Sequence, residues 1–249
     1  MTLDDIYMQL AGAELRNVVL GTGAMDKING EIPRENYEKI LPMVKLGLTE
    51  LHKRFLLRDS EFTLTLVPGK ISYLLAKAYA MSNSAAVSPY IDDTADPLTD
   101  NLMRVERIYG ILDRKEYRIP FNRAENPESI RTSLFNNILV PEDPKVAPWV
   151  AETTALRIVY RADHPEININ YANAAPGRTP IYLPTTHLEA LIYHIASRAI
   201  NPNGVIGEAF HEGNNYAAKF EAAVVILKQM SFEIEQTIEN TKLHDRGFC

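Results

Sequence analysis

Apolar positions along this chain keep a helical period at both ends and alternate residue by residue in the middle. Thr2 and Asp5 form a variant capping box, and Leu3, Ile6 and Leu10 lie on one side of the short helix this opens. The stretch VLGTGAMDKINGEIP is rich in glycine and reads as a loop, after which Pro33 stands where a helix can begin. From there Tyr37, Ile40, Leu41, Val44, Leu48, Leu51 and Phe55 recur at three and four residues, the stripe of an amphipathic helix. Pro42 lies inside that stripe and is expected to kink the helix or move its start downstream.

The period changes near residue 60. EFTLTLVPGKISYLL sets two β-prone runs either side of Pro68-Gly69, the pattern of a hairpin. LMRVERIYGILDRKEYRI offers a second pair, with Asp113, Arg114 and Lys115 at the turn. In TALRIVYRADHPEINI, Leu156, Ile158 and Tyr160 alternate with Arg157, Val159 and Arg161, as in a strand with one buried face. VPEDPKVAP and NAAPGRTP read as connections. Runs of strands without intervening helices predict an antiparallel sheet or small sandwich.

The helical period returns after Pro184. Thr185 or Thr186 can cap a helix that carries Leu188, Leu191, Ile192, Ile195 and Ala199 on one face, and NPNG at 201–204 ends it. Phe210, Tyr216, Phe220, Ala223, Val224, Leu227, Met230, Ile234 and Ile238 then mark the longest helix. From Asn214 to Glu239 it would be a rod of roughly 40 Å. The fold class these elements predict is α+β. Residues 1–58 and 183–249 form a helical bundle, and residues 59–182 form an antiparallel β domain inserted between them.

Composition narrows the function. A length of 249 residues allows a sizeable core, and 46% hydrophobic with 23% charged residues are globular proportions. No apolar run approaches the roughly 20 residues needed to span a bilayer, so no membrane partner is expected. The start, MTLDDIYMQL, is acidic where a secretory signal is basic, and secretion is not expected. Cys249 is the one cysteine, which excludes an intramolecular disulfide and fits a reducing compartment. A net charge of −6 opposes tight phosphate binding while permitting a protein that surrounds DNA without gripping it.

Candidate chemistry fails on spacing. His187 and His194 are two helical turns apart, about 10 Å along the axis, whereas paired helical metal ligands sit one turn apart. Glu189 points to another side of the helix, so two partly buried or interfacial histidines are expected. HEGNN at 211–215 starts like a zinc-protease motif but has Asn215 where the second histidine belongs, and reads as a polar loop and cap before the long helix. GTG at 21–23 and NPNGVIG at 201–207 lack phosphate-loop spacing, and no GxSxG is present. YIDDTADPLTD supplies Asp92, Asp93, Asp96 and Asp100 without calcium-loop order, and is expected to be an exposed acidic loop. Arg104, Arg107, Arg114, Lys115 and Arg118 are interleaved with Glu106, Asp113 and Glu116, which points to a solvated, salt-bridged sheet face or subunit contact. No catalytic, cofactor-binding or metal-binding residue is assigned, and no cofactor is expected.

Three stretches carry a resemblance. NYEKILPMVKLGLTELHKRFLL (36–57) followed at once by the expected β hairpin, IYLPTTHLEALIYHIASRAINPNG (181–204) and EGNNYAAKFEAAVVILKQ (212–229) resemble, in this order, the head-to-tail connector adaptors of short-tailed bacteriophages. The resemblance implies a structural virion protein at the head–tail junction, assembled in the host cytoplasm. It implies a homo-oligomeric ring, typically of twelve subunits, joining the portal protein to the tail nozzle protein. Such a ring extends the channel for double-stranded DNA and helps retain and eject the genome. By the same resemblance the C-terminal segment reaches the portal, making Leu243, Arg246 and Phe248 candidate contacts. Ala217, Ala218, Ala222 and Ala223 give the last helix a small-residue face suited to close packing within a subunit or between neighbours. The alternatives are a tail-associated peptidoglycan-degrading glycosidase working through two carboxylates, and a DNA-binding module.

Overall fold

The computed structural model describes residues 1–14, 34–112, 115–133, 136–169, 176–200 and 208–230. Helices and antiparallel sheets make the chain an α+β protein. It divides into two compact units: Met1–Leu51 with Glu166–Cys249, and His52–Pro165. The expected boundaries lie at 58/59 and 182/183, seven and seventeen residues further along.

In the first unit, α1 (Leu3–Gln9) begins at a complete capping box. The Asp5 N–H donates to Thr2 Oγ1 at 3.3 Å, and the Thr2 N–H donates to Asp5 Oδ2 at 2.8 Å. Leu3, Ile6, Tyr7 and Leu10 are buried, the last at the head of a π-helical turn over Leu10–Glu14. The chain start is held by the segment before Pro184: the Leu3 N–H donates to Thr179 O at 3.0 Å and the Ile181 N–H to Met1 O at 2.8 Å. Helix α2 (Arg34–Arg54) buries Tyr37, Ile40, Val44, Leu48 and Leu51. Pro42 sits within it on the exposed side, where the missing N–H removes one helical bond without leaving a buried carbonyl.

Helix α4 (Leu188–Ile200) is entered through a 3₁₀ turn over Thr185–His187 rather than through a capping threonine. The turn starts at Pro184, whose carbonyl accepts the His187 N–H at 2.9 Å, while Thr186 Oγ1 lies against His187 Nδ1. Helix α5 (Glu208–Met230) packs on α4 through Phe220, Val224 and Leu227. Gly47 of α2 faces α4 so closely that a β-carbon there would lie 2.6 Å from Leu191 Cδ1.

In the second unit, β1 (Asp59–Thr65), β3 (Ile91–Asp92), β4 (Leu102–Leu112), β5 (Lys115–Arg118) and β8 (Ala155–Ala162) form an antiparallel sheet in the order β3-β1-β8-β4-β5. A smaller antiparallel sheet runs β2-β7-β6, from Ser72–Leu74, Asn137–Leu139 and Arg131–Thr132. A one-turn helix, α3 (Trp149–Glu152), precedes β8. Phe62, Tyr73, Tyr90, Ile108, Ile138, Leu156, Ile158 and Tyr160 belong to one core that draws on both sheets.

The hairpin expected across Pro68-Gly69 does not form. The turn is there, with Gly69 at φ 76° and the Lys70 N–H donating to Val67 O at 3.0 Å. But β1 pairs with β8 and β3, while β2 pairs with β7 in the other sheet. The backbone of Val67 is satisfied instead by the Tyr73 hydroxyl, which accepts its N–H at 2.8 Å and donates to its carbonyl at 3.2 Å. The β4–β5 pair does form, with its turn residues Asp113 and Arg114 outside the described residues. There Gly110 lies opposite Tyr117, and the ring covers the glycine.

A β-carbon at position 110 would fall 2.4 Å from Tyr117 Cζ, and the ring is fixed at its tip by a hydrogen bond with Thr153. Gly110→Ala is therefore expected to destabilise the protein by about 1–3 kcal/mol, the usual cost of overpacking. Chemical denaturation measures this as a lowered midpoint; an unchanged or raised midpoint would show that the ring yields freely.

Candidate functional site

Helix α5 carries two apolar faces. Phe220, Val224 and Leu227 point into the unit, as the period predicts. On the other side Ala218, Ala222, Val225 and Ile226 are exposed, Val225 by 52% and Ile226 by 53%. At 100° per residue these four lie within about 100° of arc, opposite the core stripe. Ala217 is exposed but about a quarter-turn away from that face, and Ala223 is half-buried toward the core side. The four candidate alanines thus divide, with Ala218 and Ala222 sharing the open face. Met230, expected in the core stripe, is 70% exposed. At its position, about 60° from Leu227, it lies beyond the edge of the buried arc. The signal for the second face is VVIL at 224–227, four apolar residues in succession, which necessarily wrap beyond one side of a helix. Leu243, Arg246 and Phe248 lie outside the described residues, as do NPNG at 201–204 and the part of the expected long helix that carries Ile234 and Ile238.

The histidine segment is a packing element. His194 is buried edge-on against Phe220 with ring centroids 5.1 Å apart, and His187 is half-buried in the turn before α4. Glu189 accepts from the Tyr193 hydroxyl at 2.8 Å, one helical turn on. Both residues, with Met8, Leu188 and Ile192, border a cleft of about 500 Å³ against α1. Among the described residues lining it, Glu189 is the single carboxylate. No group of three or more His, Cys, Asp or Glu among the described residues could hold a metal ion. HEGNN is not a loop: His211 to Asn215 fall inside α5, because the helix begins at Glu208.

In the second unit several of the interleaved charges are paired, mostly with charges on other strands. Arg157 bridges Glu61 at 2.7 Å and Glu116 at 2.5 Å, with its guanidinium 4.5 Å from the centre of the Tyr109 ring. Arg107 meets Asp59 at 3.9 Å and Arg104 meets Glu106 at 3.9 Å. Arg161 is only 4% exposed. It donates to Glu106 at 2.9 Å and to the carbonyl of Lys53 at 2.8 Å, at the C-terminal end of α2 where a cation is favoured. Tyr73, Tyr79 and Tyr90 form an aromatic cage already filled from within the chain, with Lys70 Nζ 3.8 Å from the Tyr90 centroid. Burial pushes the Tyr90 phenol up to about 12, against the opposing hydrogen bond to Leu74 O.

The acidic stretch is exposed only in part: Asp100 lies at the surface and Asp92 and Asp96 are half-buried, but Asp93 is not. Asp93 is 1% exposed and accepts three hydrogen bonds, from Ser82 N–H at 2.9 Å, Ser82 Oγ at 2.5 Å and Leu98 N–H at 2.7 Å. Asp92 accepts from Thr94, Asp96 pairs with Arg58 at 3.6 Å, and Asp100 accepts the Lys77 N–H at 2.7 Å. Four carboxylates so used brace the loops around β3, and the short polar residues at fixed offsets are the only sequence sign of it.

Burial alone would push the Asp93 carboxyl up, but the bonds from Ser82 and Leu98 outweigh it and hold it below the ordinary value of 3.8. A lowered native value stabilises the fold above pH 3.8 and loses that contribution as the pH falls through the native value. Asp93→Asn is expected to cost about 1–3 kcal/mol near neutrality, since an amide nitrogen then meets a donor. In urea titrations the gap to wild type should narrow below pH 3.8; a gap independent of pH would contradict this role. No protein-family model matches the chain, and none of the curated proteins matches its sequence.

Proposed function

We propose that this chain is a structural virion protein, an adaptor that assembles into a ring between the portal and the tail nozzle of a short-tailed bacteriophage. The reading starts from three ordered stretches, 36–57, 181–204 and 212–229, which resemble connector adaptors. The observation that carries it is the second apolar face of α5, formed by Ala218, Ala222, Val225 and Ile226. Contiguous exposed apolar surface on a folded protein marks a contact. Two small residues on that face allow another helix to approach closely, and the branched pair beside them supplies area to bury. A contact between different patches on successive copies closes into a ring when its rotation divides a full turn.

The electrostatics fit the same task. Arg104, Arg107, Arg157 and Arg161 of the large sheet are bonded to carboxylates of their own chain, which limits what they can offer to phosphate. With a net charge of −6, DNA would pass through the channel without being held. Contact with the portal falls to the C-terminal segment, with Leu243, Arg246 and Phe248 as its candidate residues. No cofactor is required.

Analytical ultracentrifugation, with and without portal protein, tests this reading. Wild type is expected to sediment as a high-order oligomer alone or on the portal. Ile226→Glu combined with Val225→Lys leaves Phe220, Val224 and Leu227 in place, so the variant should keep its helical signal. Charging a buried apolar contact should weaken association by about 100-fold or more. A wild-type chain that stays monomeric and ignores the portal would overturn the proposal.

A further inference from the structure

The chain passes between its two units twice, at Leu51–His52 and at Pro165–Glu166. On the second unit's side an imidazole stands at each passage, and the two rings meet edge to face with centroids 5.8 Å apart. His52 is 1% exposed, with Nδ1 3.1 Å from the carbonyl oxygen of Ala162. Because that oxygen can only accept, Nδ1 must carry the proton, and His52 Nε2 is left buried with no hydrogen-bond partner. His164 Nδ1 lies 2.6 Å from Pro165 O and is protonated by the same reasoning. In both rings a second proton can go only to Nε2.

Around this pair the two passages are tied side by side. The Ala162 N–H donates to Arg58 O at 3.0 Å, and Arg161 donates to Lys53 O at 2.8 Å. Protonating His52 would put a charge in a dry place, give its Nε2 an N–H without an acceptor, and set it against His164. Of the charged groups facing the rings, Asp163 favours the second proton, while Arg58 and Arg161 oppose it at His52 and Arg58 opposes it at His164.

We propose that His52 and His164 form a proton-sensitive fastening, which holds the two chain passages together while both rings are neutral and releases them when the rings charge. Burial, the largest cause at each site, holds both imidazoles below the ordinary 6.5. A histidine with a lowered native value stabilises the structure fully above its unfolded value and loses that contribution as the pH falls below it. Release therefore belongs to mildly acidic conditions, and the fastening is complete at neutrality.

Amide hydrogen exchange of the full chain tests this, read as protection factors so that the intrinsic effect of pH cancels. Between about pH 7.5 and about pH 5, protection of the Ala162 amide should drop by about tenfold or more. The Thr65 amide, bonded to Tyr90 O at the other end of β1, should hold. In His52→Asn, whose amide nitrogen can replace Nδ1 without titrating, the selective drop should disappear. The half-buried His164→Asn should reduce it even if the first variant folds poorly. Imidazole proton shifts of the wild type should titrate below 6.5 together with the loss of protection. An Ala162 amide equally protected at both pH values would overturn the proposal. So would a drop matched at Thr65, or one that persists in both variants.

Discussion

Strand β8 carries two arginines on the face opposite its core side chains, and the places where they find counter-charges organise the second unit. Arg157 reaches Glu61 on β1 and Glu116 on β5 while lying over Tyr109 of β4, so one side chain spans strands on both sides of β8. Arg161, nearly out of water, needs partners and donates to Glu106 and to the Lys53 carbonyl at the end of α2. A buried guanidinium missing either partner would cost several kcal/mol. The same requirement governs Asp93, and His52 meets it at Nδ1 alone, leaving one nitrogen under cover without a bond. In this unit, buried polar groups fix which loops and passages lie together, while the apolar core supplies most of the favourable free energy.

The first unit poses the opposite problem. Its buried groups are mostly apolar, and the question is which apolar groups stay outside. Helix α5 has more hydrophobic surface than its packing on α4 uses, and the remainder is gathered on one side. Scattered exposed apolar residues are ordinary, but four gathered on a single helix face make the patch on which the proposed contact rests. A protein that works by assembly needs such a surface more than it needs a reactive group, which connects this helix to the proposed ring.

Sequence pattern made the elements legible and their partners much less so. Alternation along Leu156, Ile158 and Tyr160 identified β8, and the three-and-four spacing identified α2, α4 and the core side of α5. Pro68-Gly69 marked a real turn, yet a turn says nothing about which strand each arm will join, and β8 competed successfully for β1. The acidic stretch misled because composition registers charge and not the donors that will surround it: Asp93 and Asp96 look alike in sequence, and Ser82 and Leu98 distinguish them only after folding. His52 and His164 stand 112 positions apart, so no local pattern could bring them together. The exposed face of α5 was half legible: its alanines stood out as small residues, while Val225 and Ile226 fell outside the period that marks the core stripe and were given no role.

The central claim is that the chain works through surfaces shared with copies of itself and with neighbouring virion parts. End-on electron microscopy of the purified protein, alone and bound to portal, tests it most directly. Self-assembly predicts rotational order around a central hole wide enough for duplex DNA, roughly 20 Å or more across. Isolated particles of single-chain size under both conditions would contradict it.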